Sequence, residues 1–127
     1  MKFVIKAAPV TKKNSMKPRL DRNGRFLGMM QSDAYRRYEE ECMLVIPGQF
    51  RTGIDYPVNV KAIYYMPTRR IVDITNLHSA LHDVLVKAGV LKDDNSRIVV
   101  STDGSRVMYD KENPRTEIEI TEVHTEE

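Results

Sequence analysis

Asp73, Asp93 and Asp94 are the residues whose type and spacing could do chemistry. Asp73 stands just before an amphipathic stretch, Thr75 to Ala88, and the Asp93-Asp94 pair follows soon after that stretch ends at Gly89. Hard divalent cations take oxygen ligands, commonly one or two carboxylates completed by waters and substrate phosphate. Such a site activates water and offsets the charge that develops on a phosphoryl group. Arg69 and Arg70, a few residues upstream, could hold that phosphate by bidentate contacts. Asn76, Ser79 and Asp83 form a polar stripe on the same helix, turned either toward the carboxylates or toward solvent. A plainer account fits the same spacing, with Asp73 or Thr75 as a helix cap and Asp93-Asp94-Asn95 as a turn. The pattern leaves both open.

Two other constellations carry less. His78 and His82 are four residues apart and share a helix face, the geometry of a zinc pair, but no Glu follows His78 and no third ligand is evident. They read as structural histidines. Cys42 is the single cysteine and sits among Met43, Leu44 and Val45, so it reads as core packing and excludes an intrachain disulfide.

The elements that must position the acids follow from periodicity. Lys2 to Ala8 reads as a first strand ended by Pro9. Residues 10 to 20 have no usable period and read as an exposed basic loop, although the turn at Asp21-Arg-Asn-Gly24 could join short strands near 17–20 and 25–30. Ser32 caps a helix running to about Ile46, where Pro47-Gly48 stops it. Val58 to Met66 is the clearest strand, with Val58, Val60, Ala62, Tyr64 and Met66 on one face. In the central helix Leu77, Leu81, Val84, Leu85 and Ala88 recur at helical spacing, and Gly89 is placed as C′. Further strands are expected at Arg97–Thr102, Arg106–Tyr109 and Arg115–Val123. This order predicts one α+β domain over residues 1–127, two main helices packed against a mixed sheet. If the strands at 58–66 and 97–102 are neighbours, Asp73 and the Asp93-Asp94 pair can meet at one sheet edge.

Composition bounds the function. The 127 residues are 41% hydrophobic and 30% charged with a formal net charge of +2, ordinary for a globular protein. The signs are uneven, however. Residues 2 to 37 hold ten cations, among them Lys12, Lys13, Lys17 and Arg19, against Asp21 and Asp33, whereas the C-terminal end is acidic. That asymmetry fits a face that meets a polyanion, or a plain solvated surface. No secretory signal opens the sequence and no apolar run reaches the roughly 18 residues needed to span a membrane. A cytoplasmic, reducing location is expected, with no membrane partner and no small-molecule cofactor.

The order and spacing of Asp73-Ile-Thr-Asn76, the helix containing Asp83, Ala88-Gly89-Val90 and Asp93-Asp94 resemble the hallmark of the RusA-like endodeoxyribonucleases, the Holliday-junction resolvases common in prophages. That hallmark is Asp-x-Asp-Asn-x-x-Lys, a helix containing Asp, then Gly-Val and Asp-Asp. The likeness extends to the Pro9…Lys12-Lys13-Asn14 segment and to the closing strand. It implies a homodimer that uses Mg2+, with Mn2+ as a substitute, to cut four-way DNA junctions symmetrically. By position, Asp73 and Asp94 fall on the family's catalytic, metal-binding aspartates, with Asp93 and Asp83 beside them. Lys12, Lys13, Asn14, Lys17, Arg19, Arg69 and Arg70 are then the expected DNA contacts. Two positions depart from the pattern: Thr75 stands where the family has a second aspartate, and Ser79 where it has a lysine. Asp83 or Asp93 could compensate for the first, and His78 or Lys92 for the second. The alternative is a protein that binds junctions and cuts them poorly or not at all.

Overall fold

The computed structural model describes residues 1–11 and 16–124. Its elements are β1 (Lys2–Ile5), β2 (Met16–Leu20), β3 (Phe26–Gln31), α1 (Asp33–Val45), β4 (Val58–Met66), α2 (Ile74–Lys87), β5 (Val99–Ser101), β6 (Arg106–Tyr109) and β7 (Arg115–Glu122), with a 3-10 turn at Gly48–Phe50. The main sheet runs β1-β7-β4, antiparallel throughout, and β4 then carries two parallel partners on its other side. β5 pairs with the start of β4 (Val58↔Val99) and β6 with its end (Met66↔Tyr109). The expected α+β architecture with two helices and a mixed sheet is therefore the one observed. Among the described residues, no helix is long and apolar enough to cross a membrane.

Alternation decides which face of the sheet is covered. Val58, Val60, Ala62 and Tyr64 of β4 are buried, as are Thr116, Ile118 and Ile120 of β7 and Phe3 and Ile5 of β1. Their intervening neighbours are half-buried or exposed. The buried row meets Leu77, Leu81, Val84 and Leu85 of α2 and Tyr38, Cys42 and Ile46 from α1 and its end, forming one core. Met66, expected on the buried face, is only half-buried, at the last position of the strand.

Local chemistry sets the helix ends. The Ser32 hydroxyl accepts from the Tyr35 amide at 3.3 Å to cap α1. At the end of α2, Gly89 adopts φ +78, and the Gly89 and Val90 amides donate to Val86 and Leu85 carbonyls at 3.0 and 2.9 Å. That closes a Schellman motif, which needs the left-handed residue glycine supplies. The chain then returns to the sheet, where the Lys92 amide donates to the Ile54 carbonyl at 2.9 Å.

Three boundaries differ from expectation. The first strand stops at Ile5 rather than Ala8. The segment at 16–20 is not loop but the strand that the Asp21–Gly24 turn left open as an alternative, paired with β3 as a separate two-stranded ribbon. The strand expected from Arg97 begins at Val99, because Asn95 draws the Arg97, Ile98 and Val99 amides into a turn.

Candidate active site

α2 organises the candidate site, with acids at both of its ends. Asp73 is its N-cap: the side-chain Oδ1 accepts from the Thr75 amide at 2.9 Å. Capping and an exposed carboxylate coexist here, since Asp73 remains solvent-exposed. Replacing Asp73 by Ala is expected to cost about 1 kcal/mol of stability, whereas Asn, an equally good cap, costs only a few tenths. Urea midpoints of the two variants check this.

Beyond the other end of α2, Asp93 builds a turn. Its Oδ1 accepts from the Asp94 amide at 2.7 Å and its Oδ2 from the Asn95 side chain at 3.1 Å. The Asp94 carboxyl is raised above its ordinary value, first by partial burial and then by the negative charges of Asp83 and Asp93. Asp83 reaches this cluster from the body of α2, and after burial, the larger cause, it also raises the Tyr35 hydroxyl. Three of the expected acids, Asp83, Asp93 and Asp94, thus share one electrostatic neighbourhood.

Asp73 does not join them. β4 and β5 are neighbours, as a shared sheet edge required, but they run parallel. Asp73 follows the end of β4, while Asp93 and Asp94 precede β5, which pairs with the start of β4. α2 bridges the two places. Ten residues of helix separate Asp73 from Asp83, about 15 Å along the axis at 1.5 Å per residue. Among the described residues, no group of three or more His, Cys, Asp or Glu side chains is placed to hold a metal ion. The donors are of the right chemistry for a hard divalent cation, but among the described residues they are not gathered in one place.

The expected polar stripe divides. Thr75 and Ser79 are exposed, whereas Asn76 is half-buried. The histidines belong to the interior: the Tyr64 hydroxyl and His78 Nδ1 are hydrogen-bonded at 2.7 Å, and the His78 and His82 rings stack with centroids 5.6 Å apart. Among the described residues, His82 Nε2 is buried with no hydrogen-bond partner. Burial, helped by His78 and opposed by Asp83, lowers the His82 pKa from 6.5 to about 4. The unfolded chain takes up this proton as pH falls through 6.5, while the folded chain resists until about 4, so stability is lost across that window. The expected loss is on the order of 2 kcal/mol after allowing for partial exposure of the ring. Urea melts near pH 7 and pH 4.5 measure it, and His82→Gln reduces the difference to what the likewise lowered His78 contributes.

Positive charge lies near both the site and the ribbon. The Arg69 guanidinium rests 4.1 Å from the Tyr109 ring centroid on β6, a cation–π contact, and Arg70 is exposed beside it. Lys17 pairs with Asp33 at 3.0 Å and Arg19 is exposed on β2. Lys12, Lys13 and Asn14 lie outside the described residues. Periodicity does not encode the placement of Tyr109 under Arg69, which depends on the pairing of β6 with β4. Nor did it show that the ribbon exposes Leu20, Phe26, Leu27 and Met29.

The family model for Endodeoxyribonuclease RusA matches residues 7–121, so the chain belongs to that family. It is similar to the Crossover junction endodeoxyribonuclease RusA of Aquifex aeolicus (strain VF5), at 38% identity over 66 residues, 51% of this chain and 52% of that protein. The chain thus spans about half the length of the curated relative it matches.

Proposed function

We propose that this protein is a structure-selective endodeoxyribonuclease that hydrolyses phosphodiesters of four-way DNA junctions in recombination and repair. The family match over residues 7–121 carries the reading, because it spans the ribbon, α2 and both acidic ends. Asp73 and Asp94, with Asp93 and Asp83, are the residues proposed to carry catalysis. Dependence on Mg2+, with Mn2+ as a substitute, is part of the proposal and rests on the all-carboxylate donor set. Lys17, Arg19, Arg69 and Arg70, together with Lys12, Lys13 and Asn14, are proposed to contact the DNA backbone. Contacts of that kind give salt-dependent affinity with no readout of base sequence. Symmetric cutting needs two sites related by a twofold axis, so the proposed form is a homodimer acting in the cytoplasm.

A second reading is favoured by one observation: Thr75 and Ser79 occupy the places of a carboxylate and a lysine, and both are exposed where a ligand would need them. On that reading the protein binds junctions and cuts them weakly or not at all. Incubation with synthetic four-way junctions and matched duplexes, in Mg2+, Mn2+ or EDTA, separates the two. Paired nicks near the branch point that vanish in EDTA support the nuclease. Tight junction binding without nicks in either metal supports the second reading, and equal indifference to junction and duplex defeats both.

A further inference from the structure

The β2–β3 ribbon pairs apart from the main sheet and exposes large apolar side chains that the core does not use. We infer that this apolar face reads the branch point of the DNA: Phe26 and Leu20 pack against base faces left open where strands exchange, while Arg19, Arg22 and Arg25 hold the flanking phosphates. The inference rests on the proposed reading of a four-way junction as substrate. It adds the part of the molecule that tells a junction from a duplex.

Pairing fixes which side chains share a face. Pro18 stands opposite Met29 and Leu20 opposite Phe26, and directly opposed residues project from the same side of a ribbon. Pro18 and Leu20 are two residues apart, so all four lie on one side. All are exposed, Leu20 at 56%, Phe26 at 65% and Met29 at 54%. Lys17 and Arg19 alternate with them and take the other side. The register shifts between Arg19 and Leu20, so that Phe26 and not Leu27 opposes Leu20. A bulge of this kind re-aims side chains at the end of a ribbon.

The tip is held in place by its own hydrogen bonds. Asp21 Oδ1 accepts from the Asn23 and Arg25 amides, both at 2.8 Å, and the Asp21 amide donates to the Arg25 carbonyl at 2.9 Å. The one acid of the turn is thereby directed onto the backbone, and Arg22 and Arg25 stand exposed. Among the described residues, Lys17 is ion-paired with Asp33, whereas Arg19, Arg22 and Arg25 are in no ion pair.

Charge and size select the occupant. A second copy of the ribbon would bring like charges together, which is unfavourable across paired strands. The 5 and 6 residues of β2 and β3 also fall short of the roughly 20–30 residues a side of a stable protein interface. A nucleic acid satisfies both halves of the surface, with phosphates for the arginines and base faces for the apolar row. In a duplex those faces are stacked, and an apolar wedge must first separate a base step. At an exchange point a base pair has already lost a stacking neighbour, so the same wedge gains contact without that cost. Stacking on an aromatic ring tolerates any base, which agrees with backbone contacts that read no sequence.

The test compares a synthetic four-way junction with a matched linear duplex by fluorescence anisotropy in EDTA, where cleavage does not intervene. Truncation of both apolar residues, Leu20→Ala with Phe26→Ala, is expected to weaken junction binding about tenfold and leave duplex binding unchanged. Phe26→Tyr keeps the ring and should retain wild-type affinity. Arg22→Gln with Arg25→Gln should weaken both substrates alike and lower the salt slope by about one per charge removed. All these side chains are exposed, and an unchanged melting temperature confirms that the fold survives.

A junction preference that persists in the double alanine variant overturns the inference, as does equal weakening on junction and duplex. So does a salt slope that the arginine substitutions leave untouched. A fall in solution mass on truncation, read by light scattering, would assign the face to a second copy and overturn it as well. The wild type judges the underlying reading separately. Equal binding of junction and duplex by the wild type sinks the junction reading and the wedge with it. Junction preference without nicking in Mg2+ sinks only the nuclease and leaves the anisotropy comparison decisive for the ribbon.

Discussion

Asp94→Asn is expected to abolish junction cleavage and leave both junction binding and stability intact. Loss of a residue that merely supports a metal ligand costs up to about 100-fold, so loss of a proposed ligand should exceed that. The substitution is nearly isosteric and the side chain is exposed, which leaves packing untouched. Its electrostatic consequence points the other way from a structural defect. Burial and the charges of Asp83 and Asp93 raise the Asp94 carboxyl, meaning that its ionised form is held at a cost in the folded state. A neutral amide relieves that cost, so the melting temperature should hold or rise as cleavage falls. Affinity for the polyanionic junction should hold or rise as well, since one negative charge leaves the surface. Single-turnover nicking, gel-shift affinity and thermal melting of one preparation measure all three. A variant that loses cleavage and stability together would mark Asp94 as a structural residue.

The raised carboxyl also predicts a pH effect. Without metal, Asp94 remains protonated to higher pH than an ordinary aspartate, so a divalent cation that binds its anion must displace that proton and metal affinity should weaken on acidification. Calorimetric Mn2+ titrations that show no weakening toward acid would argue against the assignment.

Why the central helix was legible and its surroundings were not has a physical explanation. α2 announces itself because a capping Asp73, an apolar stripe at helical spacing and a left-handed Gly89 all act within a few residues of one another. The same holds for Ser32 and α1, and for β4 and β7, whose two-residue alternation is visible in Val58 to Tyr64 and in Thr116 to Ile120. Strand direction carries no such local mark. Nothing in Val99–Ser101 says that it runs parallel to β4, yet that one fact moves Asp94 to the far end of the helix from Asp73. The histidine pair shows the same limit from the other side. Four-residue spacing fits a zinc site as well as a buried stack, and only the Tyr64 hydroxyl on His78 Nδ1 decides it. Residues 16–20 left loop and strand both open because Lys17, Pro18 and Arg19 give no period, and the strand exists through its pairing with β3. Capping chemistry is local and therefore readable. Placement of the acids is topological and is not.

Thr75→Asp is expected to restore the carboxylate that the family pattern places there. Residue 75 occupies the first turn of α2, and its amide already donates to Asp73 Oδ1. An acid there is favoured by the helix macrodipole, by about 0.3–1 kcal/mol, so the variant should fold at least as well as the parent. The new carboxylate adds a hard oxygen donor close to Asp73, and cation affinity rises with the number of charged ligands. A tenfold tightening, about 1.4 kcal/mol, is the expected size, read by calorimetric titration with Mn2+. Cleavage at low Mg2+ should rise in step, while the rate at saturating metal changes less, because the chain already supplies Asp94 and its neighbours. Thr75→Asn is the control: it matches the shape and adds no charge, so it should leave the metal affinity where it is. The alternatives separate cleanly. If Thr75→Asp tightens the metal and switches on cutting in a parent that only binds junctions, the lost carboxylate is what made the parent a binding protein. If the metal is unaffected, Asp73 caps its helix and does nothing more, and catalysis lies with the acids at the other end.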